Sequence, residues 1–410
     1  MKTQVVTQPR IAILGAGILG TCTALELARR GQPVTIIEGA TRLLEGASRW
    51  NEGKFHLGFL YAADPSLCTA TRMIAGGLAF PELVTRHIGQ SLDPFTTDDD
   101  VFLVHRDSVV DAHAFAAYAD RASALLREAA AQHGAPRYLS NVCEPVRRLS
   151  PSELAVLTTS ENIVAGFRVP ERSVSTVAVA DLLCAAVAAE SCIEVRTSTW
   201  IDAVRRRGSG RLDVITSALD ADGLIGFDVV VNALWEGRLA IDATLSITPP
   251  APWTHRFRAG VFGHAGETTL SSAVVCTGPF GDVKRYRDGR VYLSWYESGL
   301  LAEGHEMEPP RRKAKLPRER GAQVMQGTLD ALAKYFPAVV DLAHEADELE
   351  VRGGWVYAIG QGSLADRAST LHQRDKFEIT IDRGYISVDT AKYSLAPWLA
   401  AKVAETIGLL

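Results

Sequence analysis

The chain has 410 residues, of which 47% are hydrophobic and 22% are charged, and its formal net charge is −5. That length allows two domains or one large domain with an insertion, and the composition excludes an intrinsically disordered chain. The negative charge argues against a nucleic-acid-binding protein, because such proteins need a basic surface.

Signals for export, membrane insertion and metal binding are weak throughout the sequence. The first apolar run, IAILGAGILG, contains three glycines and continues directly into helix and strand patterns, unlike a cleaved leader. No stretch reaches the roughly 18 apolar residues of a membrane span. The six cysteines include no CxxC pair, and the ten histidines have no metal-ligand spacing. We therefore expect a soluble, cytoplasmic protein with reduced thiols and no metal site.

Residues 10–38, RIAILGAGILGTCTALELARRGQPVTIIE, predict a strand, a helix and a second strand. Gly15, Gly17 and Gly20 have the GxGxxG spacing, which allows a tight turn, a close pyrophosphate and close helix–strand packing, in that order. The N–H groups at the start of the helix would face the phosphates. Glu38 is placed to accept hydrogen bonds from an adenosine ribose, and its charge disfavours the 2′-phosphate of NADP. The unit therefore predicts dinucleotide binding.

The next segment, RWNEGKFHLGFLYA (49–62), places polar side chains among glycines and aromatic residues. Ser48 and Asn51 have side chains suited to phosphate or ribitol oxygens. Lys54 and His56 are two positions apart, so both would point the same way in an extended segment. This stretch is predicted to follow a cofactor from its pyrophosphate to its ring.

The middle of the chain is predicted to be rich in strands. VFLVH (101–105) predicts a strand, and an alanine-rich helix is expected around 111–132. EVRTSTWIDAVRRR, RLDVITSALD and FDVVVNAL predict a three-stranded antiparallel meander, whose last strand is apolar enough to return to a central sheet. RFRAGVFGH, TTLSSAVVC and RVYLSWYE predict further strands, and QVMQGTLDALAKYF predicts a helix. Period-two alternation places Tyr292 and Tyr296 on one face with Ser294, and Trp295 on the other.

In the C-terminal part of the chain, GYISV (384–388) predicts a strand, DTAKYS a polar turn and LAPWLAAKVAETI a helix. Together with the meander, this arrangement is characteristic of FAD-binding proteins of the glutathione-reductase type. The chain resembles the D-amino-acid oxidase family of FAD-dependent oxidoreductases, with local similarity to L-2-hydroxyglutarate dehydrogenase and glycerol-3-phosphate dehydrogenase. The resemblance is carried by GAGILG, NEGKFHLGFLYAADPSLCTA, VRRLSPSEL, VVNALWEGRL, KYFPAV and the terminal strand–turn–helix.

This resemblance implies an α/β fold, in which a Rossmann-type FAD-binding domain of the glutathione-reductase class carries an inserted antiparallel-sheet substrate domain (α+β). We expect residues 1–95, 143–235 and 353–410 to form the FAD-binding domain. Residues 96–142 and 236–352 would form the substrate domain.

The expected FAD-binding residues lie in the glycine-rich turn, the segment after it, the meander and the C-terminal turn. They are Gly15, Gly17, Ile18, Leu19, Gly20, Glu38, Gly39, Ser48, Asn51, Gly53, Lys54, Phe55, His56, Trp200, Ile201, Asn232, Ala233, Trp235, Thr390, Lys392 and Tyr393.

The candidate catalytic residues come from three parts of the chain. They are Lys54, His56, Tyr292, Tyr296, Arg352 and His372. A lysine near the flavin could assist oxygen or stabilise the reduced ring, and a histidine could act as a base. Both could instead only hold the cofactor or the backbone. Tyrosines over a flavin commonly orient a carboxylate, but core packing explains them equally well.

Many amine-oxidising members of the family have a GlRP stretch whose arginine holds the substrate carboxylate. The corresponding region here, RGGWVYAIGQGSLADR (352–367), has no Arg-Pro. The candidate anchors are therefore Arg285, Arg352, Arg367 and Arg374.

The resemblance implies hydride transfer to flavin N5 from a small amine, an amino acid or an N-substituted amino acid. The expected partners are an anionic small-molecule substrate and O₂ or another electron acceptor, without nucleic acid. A dehydrogenase of a 2-hydroxy acid or related alcohol is the alternative, favoured by the NEGKFHLGFLYA match and the missing Arg-Pro. A flavoprotein that binds FAD only for structural reasons is a third interpretation.

Overall fold

The computed structural model describes residues 8–132, 138–217, 224–249, 251–265, 268–344 and 349–409. The strands are β1 Ile11–Leu14, β2 Val34–Ile37, β3 Val101–His105, β4 Arg147–Arg148, β5 Ile163–Arg168, β6 Ile193–Arg196, β7 Ile201–Arg206, β8 Leu212–Thr216, β9 Val229–Asn232, β10 Trp253–His264, β11 Ala273–Cys276, β12 Gly281–Arg285, β13 Arg290–Trp295, β14 Leu300–Gly304, β15 Glu350–Ile359, β16 Ile379–Asp382 and β17 Tyr385–Val388. The helices are α1 Ile18–Ala28, α2 Cys68–Ile88, α3 Ala112–Gln132, α4 Pro151–Leu157, α5 Thr176–Ala189, α6 Arg238–Thr244, α7 Tyr296–Gly299, α8 Arg318–Ala333, α9 Ala338–His344 and α10 Ala396–Ile407. Within these residues, no helix is both long and apolar enough to cross a membrane.

The first sheet has six strands in the order β16-β17-β9-β1-β2-β6, and every neighbouring pair except β16–β17 is parallel. Its central strands, IAIL, VTII and VVVN, are almost entirely buried. Such continuous apolar runs are expected of parallel strands that are covered on both faces. Helices α1, α2, α5 and α10 pack with it in one hydrophobic core, which confirms the predicted Rossmann-type sheet.

The second sheet has nine strands, and its neighbouring strands are antiparallel except for β3 and β11. One face packs on α8 and α9 through a core that contains Val261, Leu293, Leu329 and Leu332. Polar side chains that include Arg256, Arg258 and Ser294 line a cavity that the second sheet shares with the start of α1. The predicted antiparallel sheet is confirmed, and the parallel pair β3–β11 makes it a mixed, mostly antiparallel one.

Hydrogen bonds of the second sheet cross the proposed domain boundaries. Strands β4 and β5 pair with it beside β3, and β15 pairs with β10 along ten residues from Glu350 to Ile359. The division of the chain at residues 143 and 353 remains a proposal. At both positions, hydrogen-bonded strands link residues of the proposed FAD-binding domain to residues of the proposed substrate domain.

The predicted three-stranded meander is wrong in its first strand. Glu194 lies in β6, which pairs in parallel with β2 in the first sheet, because Ile193 and Val195 are apolar enough to lie at its edge. Strands β7 and β8 form a separate antiparallel pair, joined to Phe227 through an isolated bridge at Leu212. The end of the predicted second strand, residues 218–220, lies outside the described residues. The last strand, β9, joins the central sheet as expected.

Candidate active site

The turn between β1 and α1 opens at one end of a large cavity. Gly15 has a φ of 91° and donates its N–H to Ile37 O at 2.8 Å, a conformation that favours glycine. A Cβ atom at Gly20 would overlap the Gly15 carbonyl, and one at Gly17 would lie 3.1 Å from Ser48 Oγ. The N–H of Ile18, at the start of α1, donates to Ser48 Oγ at 2.9 Å. These contacts hold the start of the helix close to the strand, with its N–H groups towards the cavity.

The end of β2 is fixed by the carboxylate of Glu38. Its oxygens accept hydrogen bonds from Ala16 N at 2.6 Å and Ala40 N at 2.8 Å. The next residue, Gly39, has no room for a side chain, because a Cβ would lie 2.5 Å from the ring of Trp200. The Trp200 ring is 45% exposed, and the guanidinium of Arg311 lies 4.2 Å from its centre. An apolar platform therefore lies beside a fixed carboxylate.

The cavity encloses about 1950 Å³ of empty space, including its open mouth, and extends from the start of α1 to the second sheet. Many of the residues predicted to bind a cofactor line it. They are Gly17, Ile18, Leu19, Ser48, Asn51, Lys54, His56, Ala233, Trp235, Thr390, Lys392 and Tyr393.

The other predicted cofactor residues are not part of this lining. Phe55 is buried against Phe80 at a ring distance of 4.9 Å, since it points opposite to its neighbours Lys54 and His56. Asn232 donates to Asp242 and Tyr385 in a buried network. The remaining positions outside the lining are Gly15, Gly20, Glu38, Gly39, Gly53, Trp200 and Ile201.

Three buried charged groups hold the segment that contains Lys54. Asp100 lies just before β3 and accepts hydrogen bonds from the ammonium groups of Lys54 and Lys284, the latter at 2.8 Å to each oxygen. All three side chains are at most 2% exposed. Burial alone would raise the pKa of Asp100, but the two ammonium groups hold it below its usual value. Burial would likewise lower the pKa of Lys54, but Asp100 raises it, so Lys54 is cationic.

A second buried acid, Glu171, shapes the loop that follows Lys54. One of its oxygens accepts from the N–H groups of Leu57 at 2.7 Å and Phe59 at 3.2 Å. Burial raises the pKa of Glu171 to about 7, although Lys54 opposes the shift. The carbonyl of Gly58 accepts from the hydroxyl of Tyr118 at 2.8 Å. These contacts fix the backbone on both sides of His56.

His56 carries an uncharged ring into the cavity. Burial, followed by the charges of Lys392 and Lys54, holds the pKa of its imidazole well below the usual value. Its Nδ1 atom is buried and has no hydrogen-bond partner among the described residues. The ring lies 5.5 Å from that of Tyr61. A neutral imidazole with an unpaired nitrogen can accept a proton or a hydrogen bond.

Four cationic side chains line the part of the cavity formed by the second sheet and the C-terminal loops. Arg256 and Arg258 project from β10, Arg374 follows β15, and Lys392 lies in the turn after β17. Burial and Arg256 lower the pKa of Arg374 to about 10, while burial and Arg374 lower that of Lys392 to about 7. The sequence interpretation missed Arg256 and Arg258. Both arginines belong to the segment RFR, and residues two positions apart in a strand lie on the same face. This spacing was the signal from which the sequence could have identified them.

The predicted aromatic and histidine residues of this part also line the cavity, namely Tyr292, Tyr296 and His372. Arg256 Nη1 donates to the hydroxyl of Tyr296 at 3.0 Å. Nε2 of His372 lies 2.9 Å from the backbone carbonyl oxygen of Asp366, so this nitrogen is hydrogen-bonded to the backbone. Trp295 points to the other face and stacks on Tyr335 at 5.3 Å, as the alternation predicts.

The structure separates the four candidate anchor arginines. Arg374 is 8% exposed and lines the cavity. Arg352 is bonded to Glu350 outside the lining, with its guanidinium 5.2 Å from the ring of Trp50. Arg285 and Arg367 are exposed.

Comparison with known proteins agrees with this architecture. Residues 10–367 match the protein family described as FAD dependent oxidoreductase (DAO). The fold is similar to glycine oxidase from Geobacillus kaustophilus, with 17% identity, a TM-score of 0.67, and coverage of 98% of this chain and 95% of that one. It is also similar to L-proline dehydrogenase from P. horikoshii, with 16% identity, a TM-score of 0.63, and coverage of 98% and 93%.

A third similar structure is FAD-bound L-alpha-glycerophosphate oxidase from Mycoplasma pneumoniae, with 16% identity, a TM-score of 0.64, and coverage of 99% of this chain and 96% of that one. A comparison with functionally curated proteins finds no match. At these identities the structural matches establish the fold.

Proposed function

Since the chain belongs to the FAD-dependent oxidoreductase (DAO) family, whose match covers residues 10–367, we propose that it oxidises a small amino acid or N-substituted amino acid, or a related amine. The observation that carries the proposal is the single cavity that joins the start of α1 to a group of cationic side chains and a neutral histidine. Such a cavity accommodates a dinucleotide at one end and an anionic substrate at the other.

The residues of the cavity suit FAD. The start of α1, beside Gly17 and Ser48, would hold the pyrophosphate, and a larger residue at Gly17 would crowd the Ser48 hydroxyl. Glu38 would accept from the ribose, and the segment from Lys54 to His56 would face the ring. When bound, FAD supplies a hydride acceptor at N5 of its isoalloxazine ring.

Replacing Glu38 with Gln tests the ribose end. We expect the variant to bind FAD about tenfold more weakly, equivalent to about 1.4 kcal/mol, because it loses a charged acceptor. Fluorescence titration of the apoprotein with FAD measures the dissociation constant. Glu194→Gln, a change at an exposed acid on β6, is the matched control and should bind FAD like the parent protein. Equal affinities of both variants and the parent would contradict the role of Glu38.

Arg374 and Arg256 would anchor the substrate carboxylate. Both are buried, and the hydroxyl of Tyr296 accepts from Arg256 at their side of the cavity. Guanidinium groups form two parallel hydrogen bonds with a carboxylate, which fixes its orientation as well as its position. This anchoring would set which C–H bond of the substrate is presented for oxidation.

His56 is the residue best placed to accept a proton from the substrate. Its ring is neutral and lines the cavity, so it would accept a proton from an N–H or O–H group through whichever ring nitrogen faces the substrate; Nδ1 is buried and has no partner among the described residues. The same observation favours the second candidate, oxidation of a 2-hydroxy acid or related alcohol. An alcohol must lose its O–H proton during oxidation and so needs a base, whereas a neutral amine already has a free electron pair.

The names of structurally similar proteins support both chemistries. Glycine oxidase, L-proline dehydrogenase and iminodiacetate oxidase from Chelativorans sp. BNC1 are named for amino compounds, and L-alpha-glycerophosphate oxidase for an alcohol. Amino compounds are the commoner class among these names, so we place amine oxidation first.

Reduction of the purified holoenzyme under anaerobic conditions tests the proposal. We expect the visible flavin absorbance to bleach with one or more members of a panel of D- and L-amino acids, N-alkyl glycines and 2-hydroxy acids. Bleaching by hydroxy acids alone would replace the first candidate with the second. A protein that retains FAD but is reduced by none of the panel would overturn both. Repeating the reaction in air distinguishes O₂ from another acceptor.

The pH dependence of substrate binding should follow the protonation state of the Lys392 side chain. Burial and the neighbouring Arg374 lower its pKa to about 7, so its ammonium form is present below pH 7 and is lost as the pH rises. Glu52 opposes this shift, and Arg256 and Lys54 add to it. We expect KM for an anionic substrate to rise above pH 7, by at most about tenfold per pH unit for one proton.

Steady-state measurements of KM between about pH 6 and pH 9 test this dependence. Lys392→Arg should flatten the profile, because arginine stays protonated over this range. Lys402→Arg, at an exposed position of α10, is the control and should retain the parent profile. A profile that is flat in the parent protein would contradict the role of Lys392.

A further inference from the structure

The substrate end of the cavity contains more positive charge than one carboxylate would need. Four cationic side chains, Arg256, Arg258, Arg374 and Lys392, line it, and none forms a salt bridge within the residues that the structure describes. Arg256 and Arg374 are only 4% and 8% exposed. The Nε atoms of Arg256 and Arg258 are buried and have no hydrogen-bond partner in the described part of the chain. Buried charges without a partner are costly, so this arrangement favours the binding of an anion.

The acids of the lining do not balance these cations. Asp282 accepts from Ser294 Oγ at 2.5 Å and lies 3.9 Å from the buried ammonium of Lys284, so its charge is already engaged. Lys54, the remaining cation of the lining, is paired with Asp100. Glu52 is the other carboxylate in the lining, and it acts on Lys392. The three guanidinium groups, joined below about pH 7 by the ammonium form of Lys392, therefore exceed the acid available to them.

The positions of these cations match a ligand with two charged ends. Arg256 donates a hydrogen bond to the hydroxyl of Tyr296 at 3.0 Å. The guanidinium of Arg258 lies over the face of the same ring, 4.1 Å from its centre. Arg374 and Lys392 come from two other segments that line the same cavity, and the charge of Arg256 lowers the pKa of both. One carboxylate saturates one guanidinium when it binds through both oxygens, which would leave the others uncompensated.

We propose that this cation cluster (Arg256, Arg258, Arg374 and Lys392) binds a substrate with two acidic groups, so that the molecule oxidised is an amino or hydroxy acid with a second carboxylate or a phosphate. Arg374 and Arg256 bind the acidic group beside the reacting carbon, and Arg258 binds the second one across Tyr296. This inference rests on the proposed function and names the substrate class of the same site.

Binding of acids that cannot be oxidised tests the cluster without turnover. Isothermal titration of the holoenzyme compares malonate, succinate and glutarate with propionate, butyrate and valerate at constant ionic strength. We expect at least one dicarboxylate to bind ten times or more as tightly as the monocarboxylate of equal chain length. Equal dissociation constants across all three pairs, or binding of none of the acids, would overturn the proposal.

A phosphonate distinguishes the two sources of the second charge. In 3-phosphonopropionate, a phosphonate replaces one carboxylate of succinate. Tighter binding of succinate supports a dicarboxylic substrate, and tighter binding of the phosphonate supports a phosphate-bearing one.

Variants of Arg258 locate the second acidic group. Arg258→Met should remove the preference for dicarboxylates, while Arg258→Lys should retain part of it, because the charge remains and the two-pronged contact is lost. Arg285→Met, at an exposed position of β12, is the control and should retain the full preference. Flavin content measured for each variant separates a lost acid site from a lost cofactor. A preference that persists in Arg258→Met, with flavin retained, would contradict the role of Arg258.

The two proposals fail in different ways. If monocarboxylic amino or hydroxy acids bleach the flavin and dicarboxylates bind no better than monocarboxylates, the proposed function stands and this inference fails. If dicarboxylates bind tightly and no amino or hydroxy acid bleaches the flavin, the proposed function fails and the dianion site stands.

Discussion

Replacing Asp100 with Asn is expected to lower the free energy of unfolding by about 3–5 kcal/mol. Asn has the shape of Asp but no charge, so the ammonium groups of Lys54 and Lys284 would be left buried without a counter-ion. Removing one partner from a buried ion cluster exposes the full desolvation cost of the others. Urea denaturation, followed by circular dichroism, measures the change.

Two further variants show whether charge causes this loss. Asp98→Asn changes an acid two positions earlier whose side chain is 81% exposed, and its unfolding free energy should stay within about 0.5 kcal/mol of the parent value. Adding Lys284→Met to Asp100→Asn removes one of the uncompensated charges and should recover part of the lost stability. If Asp100→Asn is as stable as Asp98→Asn, the cluster does not stabilise the fold.

Replacing Arg374 with Met should raise KM for the substrate by about two orders of magnitude. A buried guanidinium that makes two charge-assisted hydrogen bonds to a carboxylate contributes about 1.5–3 kcal/mol per bond, and each 1.4 kcal/mol is a factor of ten. Methionine retains the apolar stem and removes the charge. Steady-state kinetics with the substrate identified by flavin bleaching measures the effect, and kcat should change less than KM.

Arginines outside the cavity provide the comparison. Arg285→Met and Arg367→Met alter exposed side chains, so both should leave KM within about twofold of the parent value. Arg352 bonds to Glu350 outside the lining, so Arg352→Met should also have little effect on KM. An unchanged KM in Arg374→Met, or an equal rise in all four variants, would exclude Arg374 as the anchor.

Local patterns were sufficient to predict the end of the cavity at the start of α1, where we propose that the dinucleotide binds. IAILGAGILG (11–20) combines a strand, three glycines and a helix start within ten residues, and each glycine has a steric reason that neighbouring residues reveal. The prediction that Lys54 and His56 point the same way also rests on one short extended segment, and both line the cavity. The fold class was predicted from the same kind of local strand, turn and helix patterns in other parts of the chain.

The substrate end depends on contacts between distant segments, so the sequence left it open. Arg256 and Arg258 occur in an alternating strand, where charged residues at every second position usually face solvent; here that face lines a cavity that also includes the start of α1 and the C-terminal loops. Arg374 lines the cavity and Arg352 does not, and this difference likewise depends on the path of the loop that follows β15. Asp100 follows two other aspartates in TTDDD, and nothing local distinguishes it from its neighbours.

The position of Asp100 between two lysines also constrains the order in which the chain can complete its fold. Lys54 precedes Asp100 by 46 residues, whereas Lys284 follows it by 184 residues. During synthesis, Lys54 and Asp100 have both left the ribosome long before the second lysine is made. The carboxylate therefore receives its second ammonium group only after β12 has emerged and docked. We expect a chain that is stopped before β12 to leave this wall of the cavity incomplete, even if its βαβ unit has already formed.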